Sequence, residues 1–201
     1  MRHLPACLAL GLLSLSPALA FDGSTQAVLD GLKRGKLVPI DAVGSLMMKS
    51  ERWCYGEQEG ACDWSDTYLD LTADGAVFEI GNAWNEQYEI FFTDEGVFED
   101  NRYFCEIDRD WVPTLHAIHR SDGSPVGGRE LWALKQEIAA GQARPRVIDC
   151  FDYVLAGIDD DGQTVTLLQR QFTDGVTDPA NDVEVTLHFD PSSAAALTYS
   201  F

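Results

Sequence analysis

Three groups of side chains in this chain have the types and spacing to do chemistry. His116 and His119 form a His-x-x-His pair, with Glu106 and Asp108 a few residues upstream. An imidazole held by a carboxylate is the usual general base of a hydrolase, and two histidines on one helical face can chelate a metal. Asp174, Asp178 and Asp182 recur every four residues in a polar stretch with Gly175 and Pro179. Hard oxygens on backbone that can wrap suit calcium. Trp53-Cys54-Tyr55-Gly56-Glu57-Gln58-Glu59-Gly60-Ala61-Cys62-Asp63-Trp64 brackets an acidic loop between two cysteines, with a tryptophan at each flank. Glu57, Glu59, Trp53 and Trp64 are its candidates for touching a ligand or partner, since acids attract cations and indoles stack.

Each group also has a plainer explanation. The histidine segment contains Pro113 and does not read as helical, so the pair need not share a face. The three aspartates do not follow the EF-hand spacing, and turn chemistry explains them without a metal. The cysteine loop reads first as a clamp. No Gly-x-Ser-x-Gly elbow, P-loop or dinucleotide fingerprint occurs. No metal or other cofactor is expected, calcium on the aspartates being the alternative.

The compartment decides how the cysteines are used. A short basic start, an apolar run from Leu8 to Leu19 and Ala18-Leu19-Ala20 make residues 1–20 a secretory signal peptide, with cleavage expected after Ala20. The run is too short to span a bilayer comfortably, and Pro17 interrupts it. No stable membrane anchor is expected after cleavage, and the mature chain is expected in the periplasm or outside the cell. Cys7 leaves with the signal, so Cys54, Cys62, Cys105 and Cys150 remain. An even number in an exported chain implies disulfides. Of the three possible pairings, Cys54–Cys62 and Cys105–Cys150 are favoured, because the first pair is close in sequence and Gly56 and Gly60 let its loop bend. Loop entropy gives about 2.5 kcal/mol for the short loop and about 4 kcal/mol for the long one.

Residues 21–201 read as one disulfide-stapled, mainly β domain. Ser24 is a candidate cap for a helix from Thr25 to Arg34, and Asp41 for a second short turn. Strand patterns follow at Thr67–Thr72, Ala76–Ile80, Glu86–Thr93, Val97–Ile107 (broken by a bend at Asp100-Asn101), Arg146–Ile158, Gln163–Phe172 and Val183–Phe189, with a last segment at Leu197–Phe201. Thr93-Asp94-Glu95-Gly96 reads as a turn. Gly128 to Ala140 is an inserted helix, with Leu131, Leu134 and Ile138 at the helical period and Trp132 widening the stripe. About eight strands joined by tight turns, with a short N-terminal helical segment and one inserted helix, predict an antiparallel barrel or sandwich. Most of the tryptophans, Trp132 above all, are expected in its core.

The formal charge of −19 repels phosphate backbones. Nucleic acid is therefore not an expected partner, and a cationic protein or a small ligand is. The first expectation is a non-catalytic exported binding or inhibitor module. The alternatives are a secreted hydrolase using a His/carboxylate pair, and a structural envelope protein or small outer-membrane barrel. The last is suggested by alternating Leu197, Tyr199 and Phe201 at the C-terminus.

Overall fold

The computed structural model describes residues 21–141 and 148–201. Residues 1–20, over which a signal peptide is expected, lie outside them. In chain order the elements are α1 (Gly23–Leu29), α2 (Ile40–Lys49), β1 (Arg52–Tyr55), β2 (Ala61–Cys62), β3 (Trp64–Leu71), β4 (Gly75–Ala83), β5 (Tyr88–Glu99) and β6 (Tyr103–Glu106). They continue with β7 (His116–His119), α3 (Gly128–Gly141), β8 (Asp149–Asp159), β9 (Thr164–Thr173), β10 (Val176–Thr177), β11 (Val183–His188), α4 (Pro191–Ala196) and β12 (Thr198–Tyr199).

Eight of these strands close an antiparallel barrel in the order β9-β11-β1-β3-β4-β5-β6-β8, with β8 returning to β9. A barrel of this size has an interior that side chains can nearly fill. Alternate residues of every strand point inward: Trp53 and Tyr55 from β1, Tyr68 from β3, Phe78 from β4, Leu155 from β8 and Leu187 from β11 are all in one buried cluster. Trp53 is fully buried there, and its indole N–H donates to Ser50 Oγ at 2.7 Å.

The helices α1 and α2 close one end. Leu29, Val43, Leu46 and Met47 belong to the same buried cluster as the barrel interior. Asp22, rather than Ser24, caps α1, its carboxylate accepting from the backbone N–H groups of Ser24 and Thr25. The helix also stops at Leu29, short of the predicted Arg34. Asp41 lies inside α2, whose N-cap is Pro39.

The seam between β6 and β8 is divided. Strand β6 pairs with β8 at only two positions, Phe104↔Phe151 and Cys105↔Cys150, whereas β8 pairs with β9 at ten. The cross-strand disulfide Cys105–Cys150 sits on that short seam. Beyond it, the α1–α2 connection takes over the same edge of β8. The N–H of Gly35 donates to the carbonyl of Leu155 at 2.7 Å and that of Val38 to Tyr153 at 2.8 Å, while the N–H of Leu155 donates to Lys36 at 3.1 Å. On the outer wall, fully buried Asp152 accepts from the guanidinium groups of both Arg102 and Arg170 at 2.6–2.9 Å. Arg102 thereby also ties the β5–β6 turn to β8.

Two predicted features are corrected. The stretch Thr93–Gly96 is no turn, because β5 runs straight through it. Gly96 is there to let the Phe104 ring pass, since a Cβ at that position would run into the ring. The reversal falls at Asp100 and Asn101, both with φ of 52°. Trp132 is 65% exposed. It lies about 200° around α3 from Leu134, so it points away from the face on which Leu134 and Ile138 pack against Phe92, Trp111 and Leu115.

The C-terminal segment is not a barrel strand. Strand β12 pairs with β2 in parallel, outside the barrel. Tyr199 covers the disulfide Cys54–Cys62, and its hydroxyl bonds Ser65 Oγ at 2.8 Å. Phe201 is exposed. No described helix is long and apolar enough to cross a membrane.

Candidate functional site

The end of the barrel opposite α1 and α2 is open, and a cavity of about 240 Å³ lies there. Its walls come from the inward positions of the strands. The aromatic part is Tyr55, Trp64, Tyr68, Phe78, Phe104 and Phe151, and the polar part is Asp66, Glu106, Asp149, Gln169, Gln171 and Asn181. Among the described residues that line it, none is Lys, Arg or His.

The local sequence explains this lining. On β3, Trp64, Asp66 and Tyr68 occupy alternate positions and therefore share the inward face. On β9, the inward series begins with Val165 and Leu167 in the apolar core and continues with Gln169 and Gln171 at the cavity. The interior thus changes from apolar to polar along the barrel axis. Trp64 stacks on Tyr55, with ring centroids 4.8 Å apart and planes 12° from parallel. Gln169 Nε2 donates to the Tyr153 hydroxyl at 3.2 Å, which holds one polar pair across adjacent strands.

Asp66 is the centre of the polar set. It is 5% exposed, and its Oδ2 accepts from the Tyr55 hydroxyl at 2.7 Å. Its other oxygen, Oδ1, is buried with no hydrogen-bond partner. Tyr68, 9% exposed, is similar: its buried hydroxyl makes no hydrogen bond of normal geometry. Such atoms cost about 1–3 kcal/mol each when left unpaired. Burial pushes the Asp66 carboxyl up to about 7; the Tyr55 hydrogen bond opposes that shift, while Glu106 and Asp94 add to it. Burial likewise holds the Tyr55, Tyr68 and Tyr153 phenols well above the ordinary tyrosine range, so all three keep their protons.

The candidates from the sequence fall elsewhere, with one exception. Trp64 is on the cavity wall. Trp53 is not available to a partner: as the inward neighbour of Tyr55 by two residues, it is sealed in the core between Tyr68 and Tyr153. Glu59 is exposed at the loop tip, with φ of 53°. Glu57 turns back to the wall, where its carboxylate lies 2.9 Å from His188 Nε2. His188 faces outward as the strand alternation requires, yet it is 6% exposed.

His116 and His119 lie on the short strand β7. Three residues apart on a strand, they point to opposite faces, so they do not form a shared chelate or base. His116 stacks on Phe91 and lies 4.0 Å from Glu79, whereas His119 lies 3.6 Å from Glu130. Neither lines the cavity. Asp174 occupies a positive-φ turn, Asp178 accepts from the Ala180 N–H at the start of a 3-10 turn, and Asp182 ends that turn. Among the described residues, the group of donor side chains close enough to share an ion is Glu99 with Cys105 and Cys150, and both of those sulfurs are in the disulfide.

Asp66 escaped the sequence reading because the strand was started at Thr67. Extending the period-two pattern back through Trp64 places an acid between two aromatics on one face, and that signal was present. No protein-family model, curated protein or solved structure matches the chain.

Proposed function

We propose that this chain is an exported, non-catalytic binding module that carries a small molecule in the open end of its barrel. One observation carries the reading: an aromatic-lined cavity walled by Asp66 and Tyr68, the buried Asp66 Oδ1 with no hydrogen-bond partner and the buried Tyr68 hydroxyl, beside Tyr55, with none of normal geometry. Buried polar atoms are normally paired, and a ligand that paired these two would recover what their burial costs. The volume exceeds the roughly 150 Å³ that accommodates benzene and lies below the range typical of drug-sized ligands. That favours a compact ligand with one ring or a short chain.

Export is supported by the N-terminal basic and apolar pattern and by two disulfides, which persist in oxidising compartments. The strong negative charge supports a cationic ligand or partner through long-range attraction.

The test has two parts. Cell fractionation with N-terminal sequencing of the recovered protein is expected to find it outside the cytoplasm, starting at Phe21. Recovery in the cytoplasm with Met1 retained would end the export reading. A neutral, environment-sensitive single-ring dye, 4-(dimethylamino)benzonitrile, is expected to bind the purified protein, and Val183→Phe, which narrows the cavity, is expected to abolish that binding while the far-UV circular dichroism is unchanged. Equal dye binding by both proteins would count against the cavity as the site.

A further inference from the structure

We infer that the ligand of this cavity is a small organic cation, an amine or amidine on an aromatic body, whose charged nitrogen is held by Asp66 Oδ1 and Tyr68 Oη. This rests on the carrier reading above and names the class of molecule carried.

The argument begins with donors and acceptors. Asp66 Oδ2 is already engaged by the Tyr55 hydroxyl, so the open valence at the centre of the site is a carboxylate oxygen, which accepts hydrogen bonds when ionised. A ligand donor must meet it. A charged donor meets it best, because hydrogen bonds between ions are about twice as strong as neutral ones. The Tyr68 oxygen has lone pairs to accept a second N–H from the same nitrogen. Ammonium and amidinium groups carry several N–H bonds on one centre, whereas an alcohol carries one O–H.

The walls agree with this. Trp64, Phe78 and Phe104 line the cavity together with the acid, and aromatic ring faces attract cations within about 6 Å. They also cover an apolar ligand body. A divalent metal is less suited, because hard ions need several oxygens at once and, among the described residues, the cavity acids do not come close enough together to share one ion.

The charge state of the site supplies a signature. The titratable groups that interact with Asp66 are Tyr55 from β1, Tyr68 on its own strand, Asp94 from β5, Glu106 from β6, Tyr153 from β8 and Tyr199 from β12. The acids among them oppose ionisation of Asp66, and a bound cation favours it. Amine affinity should therefore fall as pH drops from 8 to 5, by up to about tenfold per unit once Asp66 is protonated, and binding should release protons near neutral pH.

The experiment is isothermal titration of the purified mature protein with 2-phenylethylamine and with its neutral isostere 2-phenylethanol at pH 8, 7, 6 and 5. The amine is expected to bind at least about tenfold more tightly at pH 8 and to lose that advantage by pH 5. Asp66→Asn, which removes a buried charge and keeps the acceptor for Tyr55, is expected to weaken the amine by about tenfold or more and leave the alcohol unchanged. Glu59→Gln, at the exposed loop tip, controls for the general field and is expected to change neither.

If the alcohol binds as tightly as the amine, or Asp66→Asn leaves amine binding intact, the cation assignment is overturned while the carrier reading stands. The same holds if 4-(dimethylamino)benzonitrile enters the cavity and neither probe does. If Glu59→Gln weakens the amine as much as Asp66→Asn does, the attraction is that of the surface at large and the assignment is overturned. If neither probe nor the dye binds, the carrier reading itself fails.

Discussion

The two ends of the barrel are made from the same eight strands and solve opposite problems. At one end, Leu46 and Met47 of α2 fill the interior, Trp53 has a partner for its only polar atom, and the edge of β8 is paired by residues 35–38. At the other end the inward residues turn to acids and amides, two buried polar atoms are unpaired, and a short seam is held by a disulfide. A protein conserves stability by satisfying polar groups and filling space. His188 Nδ1 and Asn82 Oδ1 are also unpaired, and a groove lies between α2 and the turns that follow β3 and β5. Among the described residues, only the open end combines an aromatic-lined cavity with a buried, unpaired acid oxygen, which is why the proposed ligand is placed there.

If that contrast is right, the two ends should answer differently to substitution. The largest effect is expected from removing the seam disulfide. Cys105→Ser with Cys150→Ser should cost about 4 kcal/mol, given the 45 residues between the cysteines, and should loosen the cavity walls Phe104 and Phe151 beside it. Urea unfolding measures the first effect and dye affinity the second; loss of stability with full affinity would separate the seam from the site. Next comes the closed end. Leu46→Ala, at a fully buried position, should cost about 3 kcal/mol through the cavity it leaves, with ligand affinity little changed because Leu46 is remote from the open end. A matching fall in affinity would show that the two ends are coupled.

Substitutions at the open end should stabilise. The Asp66 carboxyl rises from 3.8 to about 7 on folding, so below about pH 4 it is protonated in both states. As pH increases towards 7 the unfolded chain releases that proton first, and the stability held by the protonated native form is progressively lost. Asp66→Asn should therefore be more stable than the natural protein by about 4 kcal/mol at pH 8, with the difference nearly gone at pH 4 and absent by about pH 3. Paired urea curves at pH 4, 6 and 8 measure it, and a difference that grew towards low pH would contradict the buried, elevated carboxyl. The smallest effect is Tyr68→Phe, which removes an unpaired hydroxyl and should be neutral or gain about 1 kcal/mol. A loss of stability would mean that the hydroxyl has a partner inside the protein.

The closed end was far more legible in sequence than the open one. Hairpins such as β8–β9, with Asp160-Asp161-Gly162 between them, follow from turn residues and period-two alternation. The disulfide pairing followed from cysteine count and proximity, and the structure contains both bonds. The helix at 128–140 followed from Leu131, Leu134 and Ile138. What sequence could not give was closure: the partners of β8 lie on β6 and in residues 35–38, neither adjacent to it in the chain. The site depends on closure, because Asp66, Glu106, Asp149 and Gln169 meet only when four distant strands form one wall. Histidines and repeated aspartates were conspicuous as residues, yet strand geometry separates His116 from His119, and local turns use Asp174 and Asp178.

The divided seam bears on how the molecule is assembled. Strand β8 receives one stretch of its edge from residues more than a hundred positions earlier and another from β6, and the loops closed by such contacts are long and entropically costly. Closure must await synthesis of β8, yet part of the wall comes from residues 35–38, near the start of the barrel domain. Deleting residues 21–49 would therefore not uncap a finished vessel; it would leave β8 with an unpaired edge, open to strands of other molecules. The N-terminal helical pair and its connection are as much wall as stopper, and on the proposed carrier reading a bound molecule would leave by the mouth through which it entered.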